Sequence, residues 1–232
     1  MKIAGFQKLT LLDYPEKIAA LIFTQSCNLT CGYCHNPEMI SKCSPENDRP
    51  ELQQGYILDF LAKRRGILDG VVISGGEPTL QPDLADFISQ IKAMGFLVKL
   101  DTNGSHSDVL SDLLDKELLD YIAMDVKFSP KDYEKYFPSL KSTSLMRSIQ
   151  LIMRSGLDYE FRSTVLPFYH AEKDIEEIGA MIKGANKWYL QSFRPLKTLD
   201  RRLSKERAFS GAELAKLKLI AENYAESVEL RT

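Results

Sequence analysis

The regular alternation of apolar β-rich runs with helical patterns constrains the fold of this chain more than any other feature. Six short apolar runs occur between stretches with the periodicity of amphipathic helices. Such alternation indicates right-handed βαβ units and a parallel sheet, either open or closed into a barrel. We predict strands at 19–23, 70–73, 96–100, 121–124, 159–165 and 187–190, and helices at 52–65, 82–94, 107–114, 143–155, 171–183 and 211–225.

The predicted architecture is an α/β fold, a partial (β/α)6 TIM-like barrel with parallel strands. We expect a single domain over residues 1–232, because the sequence contains no internal repeat, low-complexity tract or linker. A chain of this length buries roughly 70% of its unfolded surface and needs no disulfide to hold a core. Residues 40–50 are rich in Ser, Pro, Asn and Asp and are predicted to form a surface loop.

The amino-acid composition indicates which binding partners and which cellular compartment are to be expected. Thirty Lys and Arg residues face thirty-two Asp and Glu residues, so the formal charge is −2 and no nucleic-acid partner is expected. Two short basic clusters, at 63–65 and 201–202, are interpreted as solvated surfaces that could also contact a protein. The longest apolar run, at 18–23, is far shorter than the ~20 residues of a membrane span. We therefore expect a cytoplasmic protein with no membrane association.

Polar and glycine-rich residues follow the predicted strands at their carboxyl ends. In parallel α/β folds these ends meet at one edge, where active sites form. Because side chains alternate along a strand, Asp125 and Lys127 share a face, as do Arg162 and Thr164. The groups expected there are 25–27, 74–78, 101–104, 125 with 127, 162 with 164, and 191 with 193.

Cysteine is confined to one region of the chain. Three of the four cysteines lie within CNLTCGYC, residues 27–34, and Cys43 follows nearby. In a reducing compartment this clustering favours a metal or iron–sulfur site over disulfides. A zinc site would need a fourth ligand, Cys43 or His35, and the second ligand pair typical of such sites is missing. Three thiolates on a four-iron cluster would leave one iron open to a ligand.

The spacing CxxxCxφC, with Tyr33 as the aromatic residue, resembles the signature of the radical S-adenosylmethionine enzymes. The continuation CHNPE at 34–38 is similar to that of glycyl-radical enzyme activases. The upstream segment GFQKLTLLDYP at 5–15 resembles the anaerobic ribonucleoside-triphosphate reductase activating proteins. The motifs GGEP at 75–78, DTNG at 101–104 and MDVK at 124–127 appear in the family's order, so the resemblance covers most of the chain.

The resemblance implies a [4Fe-4S] cluster held by Cys27, Cys31 and Cys34, with S-adenosylmethionine on the open iron. Reductive cleavage of S-adenosylmethionine would yield a 5′-deoxyadenosyl radical. The resemblance places Tyr33 near the adenine of S-adenosylmethionine, and Gly75, Gly76 and Glu77 at its methionyl ammonium. It places Lys127 at the methionyl carboxylate and Arg162 at the carboxylate or the ribose. Gln191 stands in place of the ribose-contacting histidine of some activases. A monovalent cation bound by Asp101, Thr102 and Asp125 is a further implied cofactor. His106 and His170 are interpreted as surface or capping residues and Cys43 as a free thiol.

Three functions remain open on the sequence. The first is an activase that generates a glycyl radical on a partner enzyme, anaerobic ribonucleotide reductase or alternatively pyruvate formate-lyase, with flavodoxin or ferredoxin as electron donor. The second is a small-molecule radical enzyme of the 7-carboxy-7-deazaguanine synthase type. The third is a zinc-binding module without catalysis. Auxiliary clusters are excluded, since only Cys43 remains beyond the motif.

Overall fold

The computed structural model describes residues 1–40 and 52–232. It has an α/β fold with one eight-stranded sheet, whose strands are neighbours in chain order. The first two strands pair antiparallel, and the other strand pairs for which a register is given are parallel. Each of the six predicted strands is present, which confirms the fold class. The strands are β1 (Ile3–Thr10), β2 (Ala19–Thr24), β3 (Gly70–Gly75), β4 (Leu97–Thr102), β5 (Tyr121–Asp125), β6 (Asp158–Val165), β7 (Ala185–Ser192) and β8 (Ala225–Arg231).

The helices also agree with the predicted periodicity, with ends that differ by a few residues. The helix at Pro130–Tyr136 was not predicted; Ser129 caps it by accepting a hydrogen bond from the Asp132 N–H, and Pro130 begins it. The helices are α1 (Gln54–Ala62), α2 (Leu84–Ala93), α3 (Ser107–Asp115), α4 (Pro130–Tyr136), α5 (Ser142–Arg154), α6 (Glu172–Met181) and α7 (Gly211–Ala221).

The sheet has eight strands where the sequence analysis predicted six. β1 pairs antiparallel with β2 and contains two register irregularities, and its residues 7–9 are exposed. β8 is parallel to β7 and is made largely of polar residues. Neither strand shows a continuous apolar run, because each lies at an end of the sheet order and buries few side chains. The apolar pattern therefore missed both.

The described chain divides into two compact units. The first comprises Met1–Asn28, the described part of Pro37–Thr102, and Asp108–Ile122. Within it, β2 pairs with β3 in the register Ala19↔Gly70 to Thr24↔Gly75. Tyr14 packs on this pair, and a Cβ on Gly70 would lie 3.0 Å from its ring. The DYP element of the sequence resemblance thus has a packing role at the start of β2.

The second unit comprises Leu29–Asn36, Asn103–Ser107 and Ala123–Thr232. Its strands β6, β7 and β8 pair in parallel, with Arg162 opposite Tyr189 and Gln191 opposite Arg231. Trp188 of β7 is fully buried, and its indole N–H donates to Ser163 Oγ at 3.0 Å. The core of this unit therefore fixes the strands that carry several predicted site residues.

Two further predictions concern loops and membrane association. Cys43 and almost all of the predicted loop at 40–50 lie outside the described residues. Among the helices that the structure describes, none has the length and apolar character to span a bilayer. The expectation of a single domain over 1–232 stays a prediction.

Candidate active site

The three cysteines of the motif lie in the segment that follows β2. Cys31 is buried, and Cys27 and Cys34 are partly exposed. The Cys34 N–H donates to the Cys31 carbonyl at 3.0 Å, which closes a tight turn between these two residues. Three soft sulfur donors in eight residues fit an iron–sulfur cluster.

A single metal ion makes a different demand on its ligands. In the described part of the chain, no three His, Cys, Asp or Glu side chains converge as one ion requires. A cluster does not need such convergence, because its thiolates bind different irons. The zinc alternative also involves Cys43, which lies outside the described residues.

Gly32 sits in a confined position between two of the cysteines. A Cβ at this position would lie 2.7 Å from Tyr169 Oη, 3.2 Å from Leu203 Cδ1 and 3.4 Å from Asp200 Cβ. The Asp200 N–H also donates to the Gly32 carbonyl at 2.8 Å. The chain after β7 therefore packs directly on the Cys31–Cys34 turn, and only glycine fits there without displacement.

Tyr33 is buried in an aromatic cluster within the second unit. Its ring lies 6.1 Å from that of Phe128 and 5.9 Å from that of Tyr169. Burial raises the pKa of its phenol. Its hydroxyl has no hydrogen-bond partner among the described residues, which is unusual for a buried polar group. Contact with the adenine stays a prediction.

The GGEP motif lies at the carboxyl end of β3, in the first unit. A Cβ on Gly76 would lie 1.9 Å from the Ser26 carbonyl oxygen, and Gly75 has a φ of +109°. The N–H groups of Gly76 and Glu77 donate to the carbonyls of Thr24 and Ser26 at 2.9 and 2.7 Å. The two glycines thus allow close approach of the chain before Cys27, a structural reason for their presence independent of any ligand.

Glu77 and Thr102 form a buried hydrogen-bonded group in the same unit. Glu77 Oε1 accepts from Thr102 Oγ1 at 2.7 Å and from the Thr79 N–H at 3.1 Å. Both side chains are almost fully buried. The predicted ammonium-contacting carboxylate is therefore oriented by its own chain.

Asp101 is paired with a lysine that the sequence analysis did not single out. Lys99 Nζ forms a salt bridge with Asp101 Oδ1 at 2.5 Å, and Ser74 Oγ donates to Asp101 Oδ2 at 3.0 Å. The Lys99 side chain is only 2% exposed. The signal was available, since a lysine interrupts an otherwise apolar strand and shares a face with Asp101.

Asp125, Lys127 and Arg162 come together in the second unit as predicted from strand alternation. Asp125 Oδ1 accepts from Arg162 Nε, and Oδ2 accepts from Lys127 Nζ, both at 2.8 Å. Burial alone raises the pKa of Asp125, but the two cations outweigh it and hold this pKa far below its usual range. Burial alone lowers the pKa of Lys127, and the Asp125 carboxylate more than offsets it. The group is therefore fully ionised at neutral pH.

Two further side chains hold the backbone of Lys127. Its N–H donates to Tyr133 Oη at 2.7 Å, and its carbonyl accepts from His170 Nε2 at 2.9 Å. His170 Nδ1 accepts from the Leu166 N–H at 3.3 Å, so the imidazole is neutral with its proton on Nε2. The interpretation of His170 as a surface or capping residue is wrong, because the ring is 3% exposed and stacks on Phe128.

A second ion pair lies on β6 and β8. Arg231 donates to both oxygens of Glu160 at 2.9 and 3.0 Å, and its guanidinium lies 3.5 Å from the centre of the Tyr189 ring. Glu160 is 1% exposed, and Arg162 Nη1 lies 4.0 Å from it. Sequence reasoning missed this pair because β8 was not predicted. Gln191 is partly buried opposite Arg231.

A family model described as the radical SAM superfamily matches residues 21–183. The chain belongs to this superfamily. Over 236 aligned residues it is 34% identical to a putative glycyl-radical enzyme activating enzyme of Methanocaldococcus jannaschii, covering 99% of this chain and 95% of the relative. The chain is therefore an enzyme of the glycyl-radical enzyme activating family. Members of the radical SAM superfamily use a [4Fe-4S] cluster and S-adenosylmethionine.

Comparisons of this activating enzyme with further proteins agree with the family assignment. It is 26% identical over 188 residues to the pyruvate formate-lyase-activating enzyme of Clostridium pasteurianum, covering 78% of this chain and 76% of the relative. A domain of the pyruvate-formate lyase-activating enzyme from Bacteroides vulgatus has a similar fold, with a TM-score of 0.54 over 69% of this chain and 98% of that domain. Streptococcus suis SuiB bound to S-adenosylmethionine gives a TM-score of 0.63 over 90% of this chain and 48% of SuiB. At 16% and 14% identity, these two structures support the fold alone.

Proposed function

We propose that this activating enzyme generates a glycyl radical on an anaerobic ribonucleoside-triphosphate reductase. The observation that supports activation most strongly is its similarity, over nearly the whole length of both chains, to a putative glycyl-radical enzyme activating enzyme. The choice of partner rests on the resemblance of residues 5–15. Tyr14 of that segment is buried against β2 and β3, in the core of the first unit.

The proposed cofactors fit the donor set of the chain. Cys27, Cys31 and Cys34 would hold the [4Fe-4S] cluster, since thiolates are the usual ligands of iron–sulfur clusters. When bound, the cluster and S-adenosylmethionine supply a one-electron cleavage that yields a 5′-deoxyadenosyl radical, able to remove hydrogen from a glycine Cα. The buried Tyr33 hydroxyl without a partner among the described residues is a second feature that fits a bound ligand.

The role proposed for Lys127 is to bind the methionyl carboxylate. Asp125 orients its ammonium, and Tyr133 and His170 hold its backbone on both sides. Arg162 shares Asp125 and would contribute a second positive charge toward a carboxylate or ribose. Because these groups are fixed before a ligand arrives, little ordering is required on binding. The sequence resemblance also assigns Gly75, Gly76, Glu77 and Gln191 to S-adenosylmethionine binding, and these assignments stay predictions.

The monovalent cation proposed at Asp101, Thr102 and Asp125 would have to compete with cations of the protein itself. Lys99 already pairs with Asp101, and Arg162 with Asp125. We therefore expect that omitting sodium and potassium leaves the rate of S-adenosylmethionine cleavage within about twofold, and that Lys99→Gln makes it cation-dependent. A cation dependence in the wild-type enzyme would contradict this expectation.

Pyruvate formate-lyase is the second candidate partner, favoured by the similarity to its activating enzyme in Clostridium pasteurianum. The test is anaerobic incubation of the reconstituted enzyme with S-adenosylmethionine, reductant and each partner in turn, followed by electron paramagnetic resonance. A glycyl radical on the reductase alone supports the proposal, and a radical on the lyase alone assigns the second candidate. Turnover of a small heterocycle with no glycyl radical would overturn both.

A further inference from the structure

Residues 194–205, termed here the basic segment, follow β7 and have an unusual charge. They contain five Lys or Arg residues and one Asp, whereas the whole chain has a formal charge of −2. Arg201 and Lys205 are exposed, and Leu196 is 85% exposed. The single acidic residue, Asp200, is already paired with Arg202 at 2.7 Å. The segment therefore presents a positive surface with an apolar residue in it.

The basic segment packs on the part of the motif that contains Cys31 and Cys34. Asp200 hydrogen-bonds the Gly32 carbonyl, and the buried Leu203 faces the Gly32 α-carbon. Immediately before the segment, Phe193 stacks against His35 with ring centres 6.3 Å apart. The basic segment thus packs directly against the turn that contains Cys31 and Cys34.

Charge and position together indicate a kind of partner. Electron-transfer complexes are small and transient, and they depend on complementary charge to bring partners together. The proposed function requires one electron to enter at the cysteines, and a negatively charged carrier would be attracted to the surface nearest to two of them. We propose that the basic segment is the docking surface for an acidic one-electron carrier protein of the flavodoxin type.

This inference rests on the proposed function, because only a redox-active cluster requires a carrier. In the step that docking serves, the reduced flavin of the carrier loses one electron and the oxidised cluster gains it. No bond forms, and no proton is exchanged. Docking itself is a property of the protein surface and can be measured without turnover.

The test measures binding of oxidised flavodoxin to the anaerobically reconstituted enzyme by fluorescence anisotropy. The variant Arg201→Glu/Lys205→Glu is compared with Lys63→Glu/Arg65→Glu, a matched control with the same change of charge on exposed residues of the first unit. At about 20 mM ionic strength the first variant is expected to raise the Kd about tenfold or more, and the control by no more than about twofold. At about 500 mM this difference is expected to shrink, because salt screens surface charges.

Rate measurements separate this inference from the proposed function. S-adenosylmethionine cleavage driven by reduced flavodoxin is expected to slow in Arg201→Glu/Lys205→Glu, while cleavage driven by dithionite stays unchanged. Equal flavodoxin affinity in wild type and this variant, or an equal loss in the control, would overturn the docking surface. Normal flavodoxin binding with failure to activate the target enzyme under dithionite would assign the surface to that enzyme instead. If wild type cleaves no S-adenosylmethionine with dithionite, the proposed function fails, and the affinity comparison still decides the docking surface.

Discussion

Replacing Asp125 with asparagine tests the electrostatic arrangement at the centre of the second unit. Asp125 accepts hydrogen bonds from Arg162 and Lys127 at 2.8 Å each, and the side chains of these two residues are 14% and 16% exposed. The variant leaves two poorly solvated positive charges without their shared counter-charge. Removing one partner of a buried ion pair costs about 3–5 kcal/mol, and an exposed pair about 0–1 kcal/mol. Since Asp125 is 30% exposed, we expect a loss near 2 kcal/mol in the free energy of unfolding.

Urea unfolding at pH 7, followed by the fluorescence of the single, buried Trp188, measures this loss. The control is Asp112→Asn, which removes the half-exposed Asp112–Lys116 pair at the end of α3 and should cost about 0.5 kcal/mol or less. The pKa of Asp125 is lowered on folding, so its contribution is complete above the unfolded pKa of about 4 and declines below it. Wild type and Asp125→Asn should therefore converge in stability as the pH falls below about 4. A loss no larger than that of the control at pH 7 would refute the reasoning.

Two further substitutions test the surroundings of the motif and of Lys127. Gly32→Ala places a Cβ 2.7 Å from Tyr169 Oη and should lower the iron bound after reconstitution. Adding Tyr169→Phe to this variant should restore part of the iron. Gly55→Ala is the control, since no atom lies within 4 Å of its Cβ, and it should not change the iron content. An iron content equal to wild type in Gly32→Ala would contradict the packing argument. Tyr133→Phe leaves the Lys127 N–H without its hydrogen-bond partner, so urea unfolding should show a loss of about 1–3 kcal/mol in the free energy of unfolding. Calorimetry should show weaker S-adenosylmethionine binding. Unchanged stability and affinity would show that the tyrosine does not position Lys127.

The strands that could be predicted from the sequence are those in which apolar side chains are concentrated. Strands β2 to β5 are buried along nearly their whole length and therefore appear as apolar runs. β6 and β7 also carry exposed or partly buried polar residues, and only their buried positions, such as Phe161 and Trp188, supplied the apolar signal. β1 and β8 are each paired on one side only, so polar residues suffice and no apolar run marks them. The helix at Pro130–Tyr136 has seven residues, too few for a periodic pattern to be distinguished.

The site was partly predictable for a similar reason. Asp125, Lys127 and Arg162 could be grouped because strand alternation fixes their direction. The contacts of His170 could not be derived, since they depend on how the chain after β6 folds back onto Lys127. Arg231 was missed because β8, the strand that carries it, was not predicted.

Mössbauer spectroscopy of the anaerobically reconstituted, iron-57-labelled enzyme tests the central claim most directly. If Cys27, Cys31 and Cys34 hold a four-iron cluster, one iron should differ from the other three and change its spectrum when S-adenosylmethionine is added. Four irons that all remain unaffected by S-adenosylmethionine, or a protein that takes up zinc in place of iron, would contradict the account.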